Sequence, residues 1–306
     1  MPSDQCPGGD KFHRNKADAT DSPHDEAKIP VGDPGHGGED QRRINGDGAD
    51  LKHDGEILPC EPAIIPSVAW YKEWFGKEYL DLYSHRDRGE AEAHIDFVDR
   101  VFSGTSPRAV LDLACGAGRH TAALRERGYR ALGFDLSLTL LTQNARLPRV
   151  AGDMCCLPFA DGTFDWILNF FTSFGYFESE RENLRVLEEI ARTLAPGGSF
   201  LIDLFNRDHV VSHLEPRESQ DRNGYRVEIE RWFDHRTERV NKRIRVYAPG
   251  REVQTFVESV RAYSREEVVT GLDGTGLEVD DLFGNFQGEV FRRDSERLIL
   301  VGHRPH

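Results

Sequence analysis

The fold of this 306-residue chain is decided by the stretch Val110-Leu111-Asp112-Leu113-Ala114-Cys115-Gly116-Ala117-Gly118-Arg119-His120. Its first residues form a short apolar run suited to a buried strand, and the glycines that follow predict a tight turn. A helix is predicted to begin after that turn and to continue through Leu124. A strand, turn and helix in this order let a nucleotide-like ligand approach the backbone closely, with helix N–H groups directed at it.

Downstream of this turn, strand and helix patterns alternate. Further strands are predicted at 131–134, around Val150, at 164–171 and at 199–205, and an amphipathic helix at 180–194. Alternation of this kind is typical of an α/β fold with a doubly wound, Rossmann-like parallel sheet and helices on both faces.

The pattern changes after residue 205. Polar and apolar residues alternate in three runs at 225–233, 239–247 and 252–263, which predicts an antiparallel β-meander. A closing pair of strands is predicted at 277–283 and 297–301, so that the main sheet is parallel with one antiparallel strand. We therefore expect one domain at 61–306, with 222–263 as an inserted antiparallel β unit.

Residues 1–60 have a different composition, with 13 acidic and 7 basic residues and a single aromatic residue, Phe12. A stretch so poor in apolar groups cannot bury enough surface to offset the entropy of ordering it. We expect residues 1–60 to be a disordered acidic tail.

Charge, hydropathy and cysteines exclude several classes of protein. The net charge is −14, whereas a nucleic-acid partner requires a basic face. No run of eighteen apolar residues is present, and the first residues do not resemble a signal peptide. The five cysteines show neither a disulfide framework nor zinc-site spacing, so no metal is expected. These features predict a cytoplasmic protein with reduced thiols.

Acidic residues follow the predicted strands in order. Asp135 ends the second strand, 17 residues after Gly118, where a carboxylate can accept both hydroxyls of a ribose. Asp153 follows the third strand, next to Met154. Each acid also has a simpler interpretation: Asp112 as a turn anchor, Asp135 as a helix N-cap and Asp153 as a solvated loop residue.

Together these segments resemble the class I S-adenosylmethionine-dependent methyltransferases. The stretch 112–118 matches the first motif of that family, with Ala114 where many members have glycine. Asp135 falls at the position of its ribose-binding acid. Residues 164–165 and 194–198 match further family features.

The resemblance implies S-adenosylmethionine as the cofactor and a small-molecule acceptor that is methylated on nitrogen or oxygen. It implies cofactor contacts from Asp112, Ala114, Gly116, Gly118, Asp135, Leu136, Asp153, Met154, Asn169, Phe170, Tyr83 and Arg86. Core or surface packing is the alternative interpretation for Tyr83 and Arg86.

The stretch 169–176 is similar to the subset of the family that acts on small amines, including amino-sugar N-methyltransferases. Tyr176 is therefore the candidate catalytic residue, facing the acceptor, although its aromatic neighbours could serve the core alone. The meander resembles the extra sheet that some members place over the acceptor pocket, as a lid. A homodimer is a further possibility.

Two other functions remain open. A nicotinamide-dependent oxidoreductase would need Gly or Ala where Thr121 stands, and it leaves the stretch 194–198 without a role. A non-catalytic regulatory module that binds S-adenosylmethionine would need the same acids, because these acids predict binding and do not prove turnover.

Overall fold

The computed structural model of the protein describes residues 69–83, 88–222, 224–250 and 252–306. The predicted tail at 1–60 and the predicted site residue Arg86 lie outside the described residues. The helices are α1 Tyr71–Trp74, α2 Lys77–Leu82, α3 Arg88–Val101, α4 Arg119–Glu126, α5 Leu138–Leu141, α6 Glu180–Thr193, α7 Arg207–Ser212 and α8 Arg265–Asp273, and a short 3₁₀ turn follows α5 at Thr142–Asn144.

Eleven strands within the described ranges form two sheets. They are β1 Val110–Leu113, β2 Ala131–Asp135, β3 Arg149–Ala151, β4 Phe164–Asn169, β5 Leu194–Phe205, β6 Arg217–Arg222, β7 Tyr225–Asp234, β8 Arg239–Tyr247, β9 Gln254–Arg261, β10 Glu278–Phe283 and β11 Arg297–His303. The strand order is β10-β11-β5-β4-β1-β2-β3 in the larger sheet and β6-β7-β8-β9 in the smaller one.

The larger sheet confirms the predicted fold class. Strands β1 to β5 pair in parallel, and β11 pairs antiparallel with both β5 and β10. β11 is thus the one strand that runs against the others. The strand order reverses between β1 and β4, and ligands of open α/β sheets bind outside the carboxyl ends of the strands at such a reversal.

Both faces of the larger sheet are covered, which explains why β1 is buried along its whole length. Leu111 and Leu113 pack on the face that carries α6, whereas Val110 packs on the face that carries α3 and α4. Because both faces are apolar, polar groups of these strands concentrate at the strand ends.

The smaller sheet confirms the predicted meander as β7 to β9 and adds one strand. β6, with the sequence Arg-Glu-Ser-Gln-Asp-Arg, pairs antiparallel with β7 at the edge of the sheet. It contains no apolar residue, so it lacks the alternation that identifies a strand with one buried face. One face of the sheet packs its apolar residues Val227, Ile229, Ile244 and Val246 against Trp70, Trp74 and Leu82 of the N-terminal helices.

Residues 71–82 form two short helices, α1 and α2, which are separated at Phe75 and Gly76. None of the helices in the described ranges is both long and apolar enough to cross a bilayer.

Candidate functional site

A cavity of about 260 Å³ lies at the carboxyl ends of β1, β2 and β4, beside α1 and α2. Ten predicted site residues line it: Tyr83, Asp112, Ala114, Gly116, Asp135, Leu136, Asp153, Met154, Phe170 and Tyr176. Gly118 and Asn169 do not. The structure therefore brings most of the predicted residues to one cavity, while their contacts with a ligand stay predictions.

The turn between β1 and α4 adopts left-handed backbone conformations, with φ of 61° at Ala114, 57° at Gly116 and 80° at Gly118. A glycine adopts such angles freely, whereas a non-glycine residue there costs on the order of 1 kcal/mol or more. Glycine would relieve this strain at position 114. At Gly118 the positive φ is the main reason for glycine, because the nearest neighbour of an added Cβ, Leu147 Cδ1 at 2.7 Å, is the end of a flexible side chain that can move.

Asn169 has a structural role at the end of β4. Its side chain is buried, and Nδ2 donates to the Leu113 carbonyl at 2.9 Å, which ties β4 to β1. Its Oδ1 is buried without a hydrogen-bond partner. Asn169 thus supports the cavity from behind.

Asp112 is both a turn anchor and a cavity residue. Its carboxylate is almost completely buried, and Thr121 Oγ1 donates to Oδ2 at 2.6 Å. Burial raises its pKa from 3.8 to about 7. The carboxylate is therefore poised between its charged and neutral forms near neutral pH.

Asp135 joins two loops at the edge of the cavity. Its Oδ2 accepts from Gly116 N and its Oδ1 from Ser137 N, both at 2.8 Å. The N-cap of α5 is Ser137, whose Oγ accepts from Leu140 N, so the N-cap interpretation of Asp135 is wrong. An ionised carboxylate has about four acceptor positions, so both Asp135 oxygens retain capacity for a ligand.

Asp153 and Met154 follow β3 and line the cavity. Asp153 Oδ1 accepts from Cys155 N at 3.0 Å, which fixes the loop after β3. A Cβ on Gly152 would approach the Phe134 ring to 2.6 Å, so the chain needs a glycine immediately before Asp153.

Six aromatic residues also line the cavity and form an aromatic wall. They are Tyr71, Phe75, Tyr79, Tyr83, Tyr176 and Phe177. The Phe75 and Tyr176 rings stack with centroids 5.9 Å apart, and the Trp70 ring lies 4.8 Å from Tyr176. Aromatic faces attract cations, so this wall suits a positively charged ligand.

The smaller sheet holds the turn that carries Tyr176. The Arg239 guanidinium donates to the carbonyls of Gly175, Tyr176 and Phe177 at 3.2, 3.0 and 3.0 Å. Arg261 N donates to the Gly175 carbonyl at 2.8 Å. Burial lowers the pKa of Arg239. The position of Tyr176 therefore depends on β8 and β9 as well as on β4.

A second, open groove shares two residues of its wall with the cavity. Its volume is about 1530 Å³, and Tyr71 and Tyr176 line both spaces. Eight carboxylate residues and three arginines line the groove. The two tyrosines thus line both the cavity and a larger, acidic groove.

Comparison with known proteins identifies a family model and solved structures that are similar to this chain. Residues 111–202 match the family model of a methyltransferase domain. The fold is similar to a S-adenosylmethionine-dependent methyltransferase from Clostridium acetobutylicum, with 18% identity, a TM-score of 0.64 and coverage of 75% of this chain and 97% of that one. Residues 111–202 of this chain carry a methyltransferase domain. The predicted methyltransferase family is confirmed for this domain, and the fold is that of S-adenosylmethionine-dependent methyltransferases.

Another solved structure is similar over a larger share of this chain. The sugar N-methyltransferase KedS8 from Streptoalloteichus shares 20% identity and a TM-score of 0.58, over 89% of this chain and all 100% of that one. At such identity the likeness concerns the fold alone.

Sequence relatives cover less. The demethylmenaquinone methyltransferase of Corynebacterium kroppenstedtii is 40% identical over 99 residues, which are 32% of this chain and 42% of that protein. The cypemycin N-terminal methyltransferase of a Streptomyces species is 27% identical over 215 residues, or 64% of this chain and 83% of that protein. The chain spans less than half the length of the first of these relatives.

Several cavity residues of the methyltransferase domain were not predicted as site residues. Tyr71 and Phe75 lie on or just after α1, and the aromatic density at 70–83 was the signal that could have identified them. Arg119 also lines the cavity; it pairs with Glu90 at 2.9 Å, and its guanidinium lies 5.2 Å from the Phe171 ring centroid.

His120 was quoted with the turn but was not assigned a role. It lines the cavity, and its Nε2 lies 3.0 Å from Nδ1 of the buried His94. Burial lowers the pKa of His94 to about 4 and that of His120 well below its usual range. Both rings are therefore neutral at pH 7, and they pack as aromatic groups against Phe170.

Proposed function

We propose that the protein transfers the methyl group of S-adenosylmethionine to a nitrogen or oxygen atom of a small-molecule acceptor. The observation that carries this proposal is the meeting of Asp112, Asp135 and Asp153 at one cavity that is also lined by an aromatic wall. A cofactor with a ribose, a purine and a positively charged sulfur has a complementary group for each of these features.

Each part of the cofactor has residues in the cavity that suit it. The free acceptor positions of Asp135 suit the ribose hydroxyls, and Asp153 with Met154 suits the adenine. Asp112 and Arg119 lie by the β1 turn, where opposite charges suit the ammonium and carboxylate groups of the methionine portion. When bound, the cofactor supplies a methyl group on a sulfonium, which leaves by in-line displacement.

The protein's contribution to this reaction is mainly positioning. The acceptor atom, the methyl carbon and the sulfur must be collinear, and holding them so supplies much of the rate enhancement. The aromatic wall excludes water and stabilises the dispersing positive charge. Tyr176 supplies a hydroxyl at the boundary with the acceptor and can orient it or help to remove a proton.

The acceptor enters from the groove that shares Tyr71 and Tyr176 with the cavity. Carboxylates outnumber arginines there by eight to three, which favours an acceptor with an amine over a neutral alcohol or an acid. The relative named for N-terminal methylation points the same way. The meander contributes Trp232, Arg239 and Asn241 to the groove and thus covers the acceptor on one side.

Calorimetry with S-adenosylhomocysteine and with NADH tests the cofactor. We expect the former to bind and to raise the melting temperature, and the latter to do neither. Stabilisation by NADH alone would contradict the proposal.

An acceptor panel tests the reaction itself. Small amines, amino sugars and matched alcohols are incubated with S-adenosylmethionine, and products are detected by the mass of an added methyl group. We expect conversion of amine-bearing acceptors. Tight binding of S-adenosylhomocysteine together with no product from any acceptor would favour the regulatory module.

A further inference from the structure

The turn after β4 has an unusual backbone at the edge of the cavity. Phe170, Phe171 and Ser173 line the cavity, and the turn continues through Thr172. Phe171 has φ of 59° and Thr172 has φ of 55°, so two consecutive non-glycine residues adopt the left-handed conformation. Bulky and β-branched residues rarely adopt it, and such strain persists only where surrounding contacts hold it in place.

Asp203, a completely buried residue of β5, holds this turn. Its Oδ2 accepts from Phe171 N and its backbone carbonyl accepts from Thr172 N, both at 2.8 Å. Thr172 Oγ1 in turn accepts from Phe205 N at 2.8 Å. Both strained residues are therefore attached to the end of β5 by their backbone amides.

Arg297, the first residue of β11, connects these contacts. Its Nε donates to Asp203 Oδ1 at 2.5 Å, and its Nη2 donates to Thr172 Oγ1 at 3.2 Å. A buried carboxylate needs a partner, and one guanidinium supplies it while also reaching the strained residue. Removing the guanidinium would leave Asp203 as an uncompensated buried charge.

We propose that Arg297 and Asp203 are positioning residues for methyl transfer, because they keep Phe171 and Thr172 in the left-handed conformation that forms one side of the cavity. Neither belongs to the cavity lining, so they act through the turn. The Phe171 ring also supports the guanidinium of Arg119, which lines the cavity. This inference rests on the proposed function, because the turn shapes the cavity that is proposed to hold the cofactor.

The first test compares Arg297→Met with a matched control, Arg127→Met. Arg127 is equally exposed at 25% and pairs with Asp96 and Asp99 of α3, away from the cavity. We expect both substitutions to lower the melting temperature. Only Arg297→Met should weaken binding of S-adenosylhomocysteine, by about tenfold in calorimetry, as for the loss of a charge-assisted contact. Equal affinity in the two folded variants would overturn the proposal.

A second substitution separates positioning from general damage. Thr172→Gly removes the strain at that position, because glycine adopts positive φ freely. In the double variant with Arg297→Met we expect affinity to recover to within about threefold of Thr172→Gly alone, a coupling that independent sites do not show. A loss in the double variant equal to the product of the two single losses would show that Arg297 does not act through this turn.

Hydrogen exchange tests the same inference without a ligand. The amides of Phe171 and Thr172 should exchange faster in Arg297→Met than in the wild type and Arg127→Met, because their acceptor residue loses its partner. Unchanged exchange would refute the positioning role. If the wild type binds no S-adenosylhomocysteine while exchange accelerates as expected, the proposed function fails and the hold on the turn stands.

Discussion

The two sheets place polar residues in different ways. In the larger sheet both faces are covered, β1 is buried throughout, and the acids stand at or just beyond the ends of the strands. In the smaller sheet polar and apolar side chains alternate along β7 to β9, and many polar side chains pair across strands, as Arg231 does with Glu218 and Arg243 with Glu230. An acidic residue near the carboxyl end of β1, β2 or β3 therefore indicates the cavity in the first sheet, whereas a polar residue in the second sheet first indicates a neighbouring strand.

Asp135 tests this contrast most directly, and we expect the largest effect there. Asp135→Ala should weaken binding of S-adenosylhomocysteine on the order of a hundredfold or more, because two charge-assisted bonds to the ribose are lost at roughly 1.5–3 kcal/mol each. Titration calorimetry measures the loss. Asp165→Ala is the control, since Asp165 Oδ2 accepts from two backbone amides, Arg108 N and Ala109 N, at the opposite edge of the same sheet. Equal losses in both variants would contradict the assignment.

The buried carboxyl group of Asp112 makes the stability of the protein depend on pH. Burial raises its pKa from 3.8 to about 7, so the folded state holds its proton more tightly than the unfolded state does. The proton on Asp112 therefore stabilises the folded state fully below about pH 4, and this stabilisation is lost as the pH rises through 7. The unfolding free energy of Asp112→Asn, relative to that of the wild type, should therefore increase by roughly 2–3 kcal/mol from pH 5 to pH 8. Denaturant titrations with parallel pH profiles would exclude this cost.

Tyr176 tests the boundary between the cavity and the groove. Tyr176→Phe keeps the ring and removes only the hydroxyl, so turnover at saturating acceptor should fall about tenfold while the affinity for S-adenosylhomocysteine is unchanged. A loss of 10²-fold or more would indicate general acid–base catalysis instead. Turnover at the wild-type rate would make Tyr176 a packing residue.

Arg239 tests the dependence of the first sheet on the second. Arg239→Met removes the guanidinium donor from the Tyr176 carbonyl and one of the donors to the Gly175 and Phe177 carbonyls, so turnover should fall severalfold and the affinity for S-adenosylhomocysteine should stay within about twofold of the wild type. Arg243→Met on the same strand removes a cross-strand ion pair and is the matched control. Steady-state kinetics that are equally affected in both variants would argue against a specific link.

Deleting residues 1–60 should have the smallest effect. Their composition provides few apolar groups for docking, so we expect the affinity for the cofactor and the melting temperature to be almost unchanged. A decrease of several degrees in a thermal melt would show that the tail packs on the domain.

The larger sheet could be predicted from the sequence because the motifs that identify it are local. The turn at 114–118 and the acids near the ends of β2 and β3 are recognised within a few residues of their strands. The carbonyls of the Tyr176 turn that Arg239 contacts lie 62 to 64 residues away in the chain, and Arg297 lies 94 residues from Asp203. No local pattern marks such contacts, because they arise only when separate elements pack together.

The same limit explains the other missed features. β6 has only polar residues, so its strand conformation depends on pairing with β7 and not on an apolar face. Tyr71 and Phe75 lie in a segment rich in aromatic residues, but such a segment does not say which aromatic residue will meet a cavity and which will meet a neighbouring sheet.

The position of β11 has a consequence for synthesis of the chain. β11 lies between β5 and β10, although β10 precedes it in the sequence. A nascent chain that has emerged only as far as residue 296 therefore contains β1 to β5 and the three acids, but the outer edge of β5 has no native partner. An open strand edge is a template for aggregation. Such a chain also lacks Arg297, so we expect chains stopped at this point to associate with one another and to be cleared by proteases.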